Sequence, residues 1–186
     1  MPHVRSSRRL TADRCGLLVI DLQAKLCPAI SASESVIRQT RRLIEASNIL
    51  GVPAAATVQY PQGLGPLVDG LVEFFPAPEE KLDFSAAVCR RALDEWCDAG
   101  RDQIVIVGIE THICVLQTVL DLIAEGLRPV VVADAVSSRN LVDHEIGLHR
   151  MRSEGATITT AESVMFEWLG TADRSEFKSV SKIVKT

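Results

Sequence analysis

Short apolar runs alternate with stretches of helical periodicity along the chain, and this alternation limits the fold more than any other feature. The clearest run is residues 104–109, IVIVGI. A continuous run of this length is typical of a strand that is buried on both faces of a parallel sheet. Repeated strand–helix units form a sheet with helices on both sides. The sequence therefore predicts an α/β fold, a three-layer α-β-α sandwich around a mostly parallel, Rossmann-like doubly wound sheet.

Each predicted element has its own signal in the sequence. Helix 33–50 repeats apolar residues near a 3.6-residue period, and Gly51 follows it as a candidate C-terminal cap. The predicted strands are 16–21, 52–58, 103–108, 128–133 and 156–159, and the predicted helices are 33–50, 85–99, 111–125, 140–154, 163–169 and 173–183. Residues 59–80 hold many prolines and glycines, which predicts a long loop or lid.

The chain shows no internal repeat and no linker, so residues 1–186 are expected to form a single domain. Residues 1–13 are expected to be a flexible tail, because a Ser-rich segment there carries the basic cluster Arg5, Arg8 and Arg9. No apolar stretch is long enough for a bilayer, and no signal peptide precedes the first strand, so no membrane partner is expected.

Charge and cysteine content narrow the class of protein further. The formal net charge is −4, which argues against nucleic acid as a partner. The five cysteines have no paired spacing, so a reduced cytoplasm is a better expectation than a disulfide framework. The cysteine and histidine spacings of zinc sites are also missing. The composition therefore favours a cytoplasmic protein.

Two reactive side chains follow predicted strands. Asp21 ends the first strand, and Cys114 opens the helix after the central strand. The carboxyl ends of parallel strands meet at one edge, where such sheets bind ligands. A cysteine in the first helical turn lies at the positive end of the helix dipole, which predicts a stabilised thiolate and a nucleophile.

Each candidate also has a structural interpretation. A free cysteine is often a small buried apolar residue, and this interpretation is favoured for Cys15, Cys89 and Cys97. Cys27 follows Asp21 in a loop and is left open between packing and lining the same cleft. Asp21 is either a turn or cap residue or a proton acceptor. Lys81, considered alone, is expected to face solvent among neighbouring carboxylates.

Three motifs in order carry a resemblance to a known family. The segments GLLVIDLQ, KLDFSA and VGIETHICVLQT together resemble the isochorismatase-like cysteine hydrolase superfamily, from about Gly16 to the last helix. The resemblance implies a catalytic triad of Asp21, Lys81 and Cys114. It also implies a cis peptide at Ile109–Glu110, which directs the amides of Glu110 and Cys114 toward an oxyanion. The implied substrate is a small amide, carbamoyl or related C–N compound, and the implied assembly is a homo-oligomer.

Two departures from the family refine the expectation. The nicotinamidase branch binds a metal through an Asp and two His after the second strand, whereas residues 57–66 here contain no Asp or His. We therefore expect no metal and no other cofactor, as in the uncharacterised metal-independent branch. Isochorismatases proper tend to lack the nucleophilic cysteine, so Cys114 argues against isochorismate as the substrate.

Gln23, Tyr60 and Ile113 lie near strand ends and are expected either to line the pocket or to pack the loops. His112 either contacts substrate or begins the helix, and Trp96 and Trp168 are expected in the core.

Two further functions stay open: a redox or stress protein that uses Cys114 with Cys27 as a resolving partner, and a catalytically silent interaction module on the same fold.

Overall fold

The computed structural model describes residues 4–185. Its strands are β1 (Cys15–Ile20), β2 (Ala54–Gln59), β3 (Glu79–Lys81), β4 (Gln103–Ile109), β5 (Arg128–Ser137) and β6 (Thr157–Thr159). Its α-helices are α1 (Ser33–Leu50), α2 (Pro61–Leu64), α3 (Asp69–Val72), α4 (Arg90–Asp98), α5 (Leu116–Ala124), α6 (Leu141–Ser153), α7 (Ala161–Leu169) and α8 (Phe177–Val184). Single 3-10 turns cover Cys27–Ala29 and Ala86–Val88, and a π-helical turn covers Thr111–Val115.

The sheet has the order β3-β2-β1-β4-β5-β6, and every neighbouring pair is parallel. The chain winds outward from β1 through β2 to β3, and then outward on the other side from β4 to β6. The strand order therefore reverses between β1 and β4, the point at which doubly wound sheets form a ligand crevice at the carboxyl ends. The predicted α/β class is confirmed.

Two apolar layers cover the sheet. Alternate residues of a strand point to opposite faces, so Leu17 and Val19 of β1 pack in one core while Leu18 and Ile20 pack in the other. The first core includes side chains of α1, α7 and α8, and the second includes side chains of α4, α5 and α6. This arrangement is the expected α-β-α sandwich. The two tryptophans are buried as predicted, with Trp96 in the second core and Trp168 in the first.

Helix α1 has the predicted bounds. Seven of its residues are buried along one side, and Gly51 ends the helix with φ 71° while its N–H donates to Ser47 O. A left-handed backbone is accessible to Gly at little cost, which is why the C-terminal signal was readable in the sequence.

Other predicted elements need correction. The loop expected at 59–80 contains helices α2 and α3, and β3 begins at its end. Strand β3 was missed because Glu79, Glu80 and Lys81 show no apolar run, as suits a short edge strand. The helix expected at 85–99 begins with a 3-10 turn, and the last helix starts at Phe177 rather than at 173.

The predicted flexible tail is wrong in its second half. Leu10 is 4% exposed and belongs to the first core. Its N–H donates to Glu167 Oε2 at 2.7 Å, and Gln103 Nε2 donates to Arg9 O at 3.0 Å. These contacts tie the segment to α7 and β4; the first three residues lie outside the described part of the chain. Among residues 4–185, none of the helices has the length and apolarity needed to cross a membrane.

Candidate active site

Asp21 follows β1 at the switch point of the sheet. It has a left-handed backbone with φ 53°, a conformation that Asp adopts more readily than most residues. Its N–H donates to Thr57 O at 3.2 Å, and Thr57 Oγ1 donates to its Oδ1 at 2.8 Å. Neighbouring β2 therefore holds both the backbone and the side chain of Asp21, which is fully buried.

Lys81 reaches Asp21 from the edge strand β3. It is 4% exposed, and its Nζ lies 2.6 Å from Asp21 Oδ2. The same Nζ donates to Gln59 Oε1 at 2.7 Å, to Phe84 O at 3.0 Å and to Asp83 O at 3.3 Å. A buried ammonium is tolerated only when it is paired and hydrogen-bonded, and this one is surrounded by oxygens. The solvent-facing interpretation of Lys81 is therefore wrong.

Cys114 comes to the same place from the other side of the switch point. It lies in the π-helical turn between β4 and α5 and is 8% exposed. Its thiol lies close enough to Asp21 and Lys81 for both charges to act on it, with opposite signs. The three side chains that the sequence placed far apart thus form one cluster.

The protonation of this cluster differs from the sequence expectation. The pKa of Cys114 is raised from 9.0 to about 12, mainly by burial and next by the charge of Asp21, while Lys81 and the backbone of Glu110 oppose the rise. Burial also raises the pKa of Asp21, against the effects of Lys81 and Thr57. The predicted stabilised thiolate is wrong, because desolvation outweighs any helix-dipole effect at this position. The resting residue is a thiol next to a proton acceptor.

The segment before Cys114 depends on Gly108. This residue has φ 118°, and a Cβ built on it would overlap with Ile20 O. Only glycine therefore lets β4 approach β1 so closely just before Asp21. The peptide bond between Ile109 and Glu110, one residue further on, is cis, as the resemblance implies. The carboxylate of Glu110 turns away to accept hydrogen bonds from the N–H and Nε of Arg139 at 2.9 and 3.1 Å.

Helix α6 supports the π-helical turn from outside. His144 Nδ1 lies 2.9 Å from Thr111 Oγ1, and His112 Nδ1 lies 2.9 Å from Ser138 Oγ. Gly147 brings the helix close, since a Cβ there would lie 3.2 Å from His112 Cα. His112 thus has a structural contact at the start of the turn.

The residues predicted to line the pocket have different positions. Gln23 is fully buried, and its Nε2 donates to the carbonyls of Gln59 and Gly65, while its Oε1 accepts from the Gln59 N–H. Both ends of its amide are hydrogen-bonded to the protein backbone, so the substrate-contact interpretation of Gln23 is wrong. Tyr60 is half exposed, with its N–H donating to Lys81 O, and Ile113 packs against the core that contains Cys114.

Thr57 and Gln59 were missed by the sequence reasoning although both contact the cluster. Both lie at the carboxyl end of β2, next to Asp21, and that shared edge was the available signal.

Cys27 and Cys89 are buried, as Cys15 is, but Cys97 is exposed on α4, contrary to the packing interpretation. Within residues 4–185, no group of three or more His, Cys, Asp and Glu side chains is arranged to hold a metal ion.

Comparisons with known proteins show the family to which the chain belongs. The isochorismatase domain family matches residues 15–163. Isochorismatase domain-containing protein 2A of Mus musculus is 38% identical over 180 residues, which cover 95% of this chain and 85% of the mouse protein. Isochorismatase family protein 1B of Dictyostelium discoideum is 34% identical, over 98% of this chain and 91% of that protein. The chain therefore belongs to the isochorismatase family.

Solved structures give the same fold. MAR1 ribonuclease from Caenorhabditis elegans superposes with a TM-score of 0.89 at 37% identity, over 96% of this chain and 93% of the other. The YcaC gene product of Escherichia coli, described as an octameric hydrolase of unknown specificity, superposes with a TM-score of 0.86 over 97% and 91% of the two chains. At 23% identity, that second likeness shows the fold alone.

Proposed function

We propose that this protein is a cysteine hydrolase that cleaves a small amide, carbamoyl or related C–N substrate. The observation that carries the proposal is a buried cluster in which one carboxylate pairs with an ammonium and acts electrostatically on a neighbouring thiol. Family membership supports hydrolysis, and the cluster supports the kind of hydrolysis.

The first half-reaction forms an acyl-enzyme. The Cys114 sulfur attacks the substrate carbonyl carbon while Asp21 accepts the thiol proton, so no free thiolate is needed beforehand. The amides of Glu110 and Cys114 donate to the oxyanion of the tetrahedral intermediate. Asp21 then returns the proton to the leaving nitrogen as the C–N bond breaks. Lys81 keeps a positive charge beside Asp21 throughout.

The second half-reaction releases the acid. Asp21 accepts a proton from water as the water oxygen attacks the thioester carbon, and the proton returns to the sulfur when the C–S bond breaks. One water is consumed, and the products are an acid and an amine or ammonia. No redox change and no external cofactor enters this sequence.

Access to the cluster favours a small substrate. Asp21, Lys81 and Cys114 are 0%, 4% and 8% exposed, so the reacting groups are enclosed by the protein. A nucleic-acid strand would need an open basic groove around the reacting group, whereas this chain carries a net charge of −4.

Ribonuclease activity is the second candidate, because the Caenorhabditis elegans relative at 37% identity is named a ribonuclease. A labelled RNA should be incubated with the wild type and with Cys114→Ala. Cleavage by the wild type that disappears in the variant would favour this candidate over the amide hydrolase. The redox alternative predicts instead a Cys114 disulfide or sulfenic acid under peroxide without any hydrolysis.

The deciding experiment is to trap the acyl-enzyme. The wild type is mixed with a panel of amides, carbamoyl compounds and activated esters, and intact mass is recorded before turnover. We expect an acyl mass on Cys114 in the wild type, none in Cys114→Ala, and a slowly formed one in Asp21→Asn. Cys97→Ala, which removes the exposed thiol, should behave as the wild type. An adduct that persists in Cys114→Ala would reject the nucleophile.

Assembly and location are part of the proposal. We expect a homo-oligomer, because α6 exposes Leu141, Val142 and Ile146 together. Light scattering after size exclusion tests this, and a monomeric mass would reject it.

A reducing cytoplasm suits the free thiols of all five cysteines.

A further inference from the structure

The Lys81 ammonium has a mixed set of partners. It has three N–H bonds and four oxygens around it, of which only Asp21 Oδ2 belongs to a charged group. Two of the others are backbone carbonyls of Asp83 and Phe84. The fourth is the side-chain oxygen of Gln59, at 2.7 Å, nearly as close as the carboxylate at 2.6 Å. Within residues 4–185, Gln59 is therefore the one neutral side chain that holds the ammonium.

The amide of Gln59 can adopt only one orientation here. Its Nε2 donates to Leu82 O at 2.7 Å while its Oε1 accepts from Lys81 Nζ. The reverse orientation would place an amide donor against an ammonium and leave the two carbonyl oxygens facing each other. Gln23 fixes the backbone of Gln59 by hydrogen bonds to both its N–H and its carbonyl. The oxygen is thus aimed at Lys81 from a rigid position.

A neutral acceptor has a different electrostatic effect from a carboxylate at this place. A second carboxylate would compete with Asp21 for Lys81 and, as a like charge, would hold a proton more tightly. The amide holds the ammonium without adding negative charge next to the thiol. Among the described residues, Asp21 is then the one charged side chain that forms an ion pair with Lys81.

We infer that Gln59 is a positioning residue that holds the Lys81 ammonium against Asp21 and so sets how readily Asp21 takes the Cys114 proton. The inference rests on the proposed function for its catalytic meaning. It names a side chain outside the Asp–Lys–Cys triad as a determinant of reactivity. Without the Gln59 oxygen, the ammonium loses one of the acceptors that hold it against Asp21, and it opposes the charge of Asp21 less effectively at the sulfur.

A purely structural role is the competing explanation, because Gln59 also ties Leu82 to β2. A matched control exists at the opposite end of the sheet. Gln103, at the start of β4, is fully buried, accepts from the Thr11 N–H at 3.1 Å and donates to Arg9 O at 3.0 Å. Its loss should lower stability without reaching the cluster.

The test compares Gln59→Met with Gln103→Met, since methionine keeps an unbranched side chain but lacks the amide. Alkylation of Cys114 by iodoacetamide is followed against pH by peptide mass mapping, which needs no substrate and separates Cys114 from the other thiols. We expect Gln59→Met to slow alkylation about three- to tenfold at a given pH, equivalent to an upward displacement of about half to one pKa unit. Gln103→Met should lower the melting temperature and leave the alkylation profile unchanged.

Gln59→Asn is the second variant if methionine prevents folding, because it keeps an amide but withdraws it by one methylene. It should displace the profile in the same direction. Profiles of a folded Gln59 variant and the wild type that superimpose would overturn the inference, and so would an equal displacement in Gln103→Met.

A second readout separates this inference from the proposed function. On any substrate that the wild type hydrolyses, Gln59→Met should lower kcat about tenfold and leave KM within about twofold, since the lost contact acts on the reacting groups. A wild type that hydrolyses nothing would refute the proposed function, while the alkylation profiles would still decide the role of Gln59.

Discussion

Lys81 Nζ and Asp21 Oδ2 lie 2.6 Å apart with both side chains almost completely buried, although 60 positions separate them in the chain. The pair joins the edge strand β3 to the end of β1, with β2 between them. Removing one member of a buried ion pair leaves the other charge without compensation. Substitution of either residue is therefore expected to affect the stability of the protein as well as the proposed reaction.

Lys81→Met should be destabilising by about 3–5 kcal/mol, because it leaves Asp21 buried without its partner. The double variant Asp21→Asn with Lys81→Met should recover much of this loss, since neither charge remains. Urea denaturation of both variants measures the difference. A single variant as stable as the wild type would show that the pair has little energetic weight.

Thr57→Val removes the hydroxyl that donates to Asp21 Oδ1. Because this bond favours the charged carboxylate, its loss raises the pKa of Asp21 and moves the acidic limb of the kcat/KM profile to higher pH. We also expect a loss of about 1–2 kcal/mol in the free energy of unfolding.

Thr40→Val is the matched control, since among the described residues the buried Thr40 hydroxyl has no hydrogen-bond partner. It should be neutral or stabilise by about 1 kcal/mol and leave the pH profile unchanged. Equal pH displacements in the two valine variants would contradict the assigned role of Thr57.

Cys114 should react with iodoacetamide at a rate that keeps rising toward pH 12, because burial and the charge of Asp21 raise its pKa to about 12. Cys97, which is exposed, should be alkylated faster at every pH up to that value. Peptide mass mapping follows both thiols in one sample. A Cys114 rate that levels off near neutral pH would reveal a low-pKa thiolate and revive the helix-dipole expectation.

The same displacement affects stability in alkaline solution. The folded pKa of Cys114 lies above its ordinary value of 9.0, so between about pH 9 and 12 the unfolded chain loses a proton that the folded protein keeps. Stability therefore falls as pH rises through this window and is unaffected by this group below it. Cys114→Ala should remove about 1.4 kcal/mol per pH unit of that slope in urea titrations. Identical slopes would place the thiol in a less buried environment.

Gly108→Ala should destabilise the protein by more than about 3 kcal/mol, because the new Cβ would meet the backbone of Ile20 and the residue has φ 118°. Gly155→Ala separates the two effects, since Gly155 has φ 108° but open space around its Cβ. It should cost only about 1–2 kcal/mol. Thermal unfolding measures both, and a similar loss in both variants would assign the whole cost to the backbone conformation.

The elements that the sequence predicted best are those with local signals. Helix α1 ends where Gly51 takes a left-handed backbone, and β4 is an apolar run that is buried along its whole length. Side-chain periodicity and glycine caps depend on residues within a few positions, so they can be read without the fold. The resemblance supplied Asp21, Lys81 and Cys114 as a set.

The sequence alone determined that strands and helices alternate and that Asp21 and Cys114 follow strands at one edge. Only the tertiary structure decided that Lys81 is buried and that the amide of Gln23 is hydrogen-bonded to the protein backbone. It also decided that Thr57 and Gln59 contact Asp21 and Lys81. It also decided that Cys114 rests as a thiol. The physical reason is that desolvation, ion pairing and hydrogen bonding depend on which distant residues surround a group, and a local pattern carries no record of those neighbours.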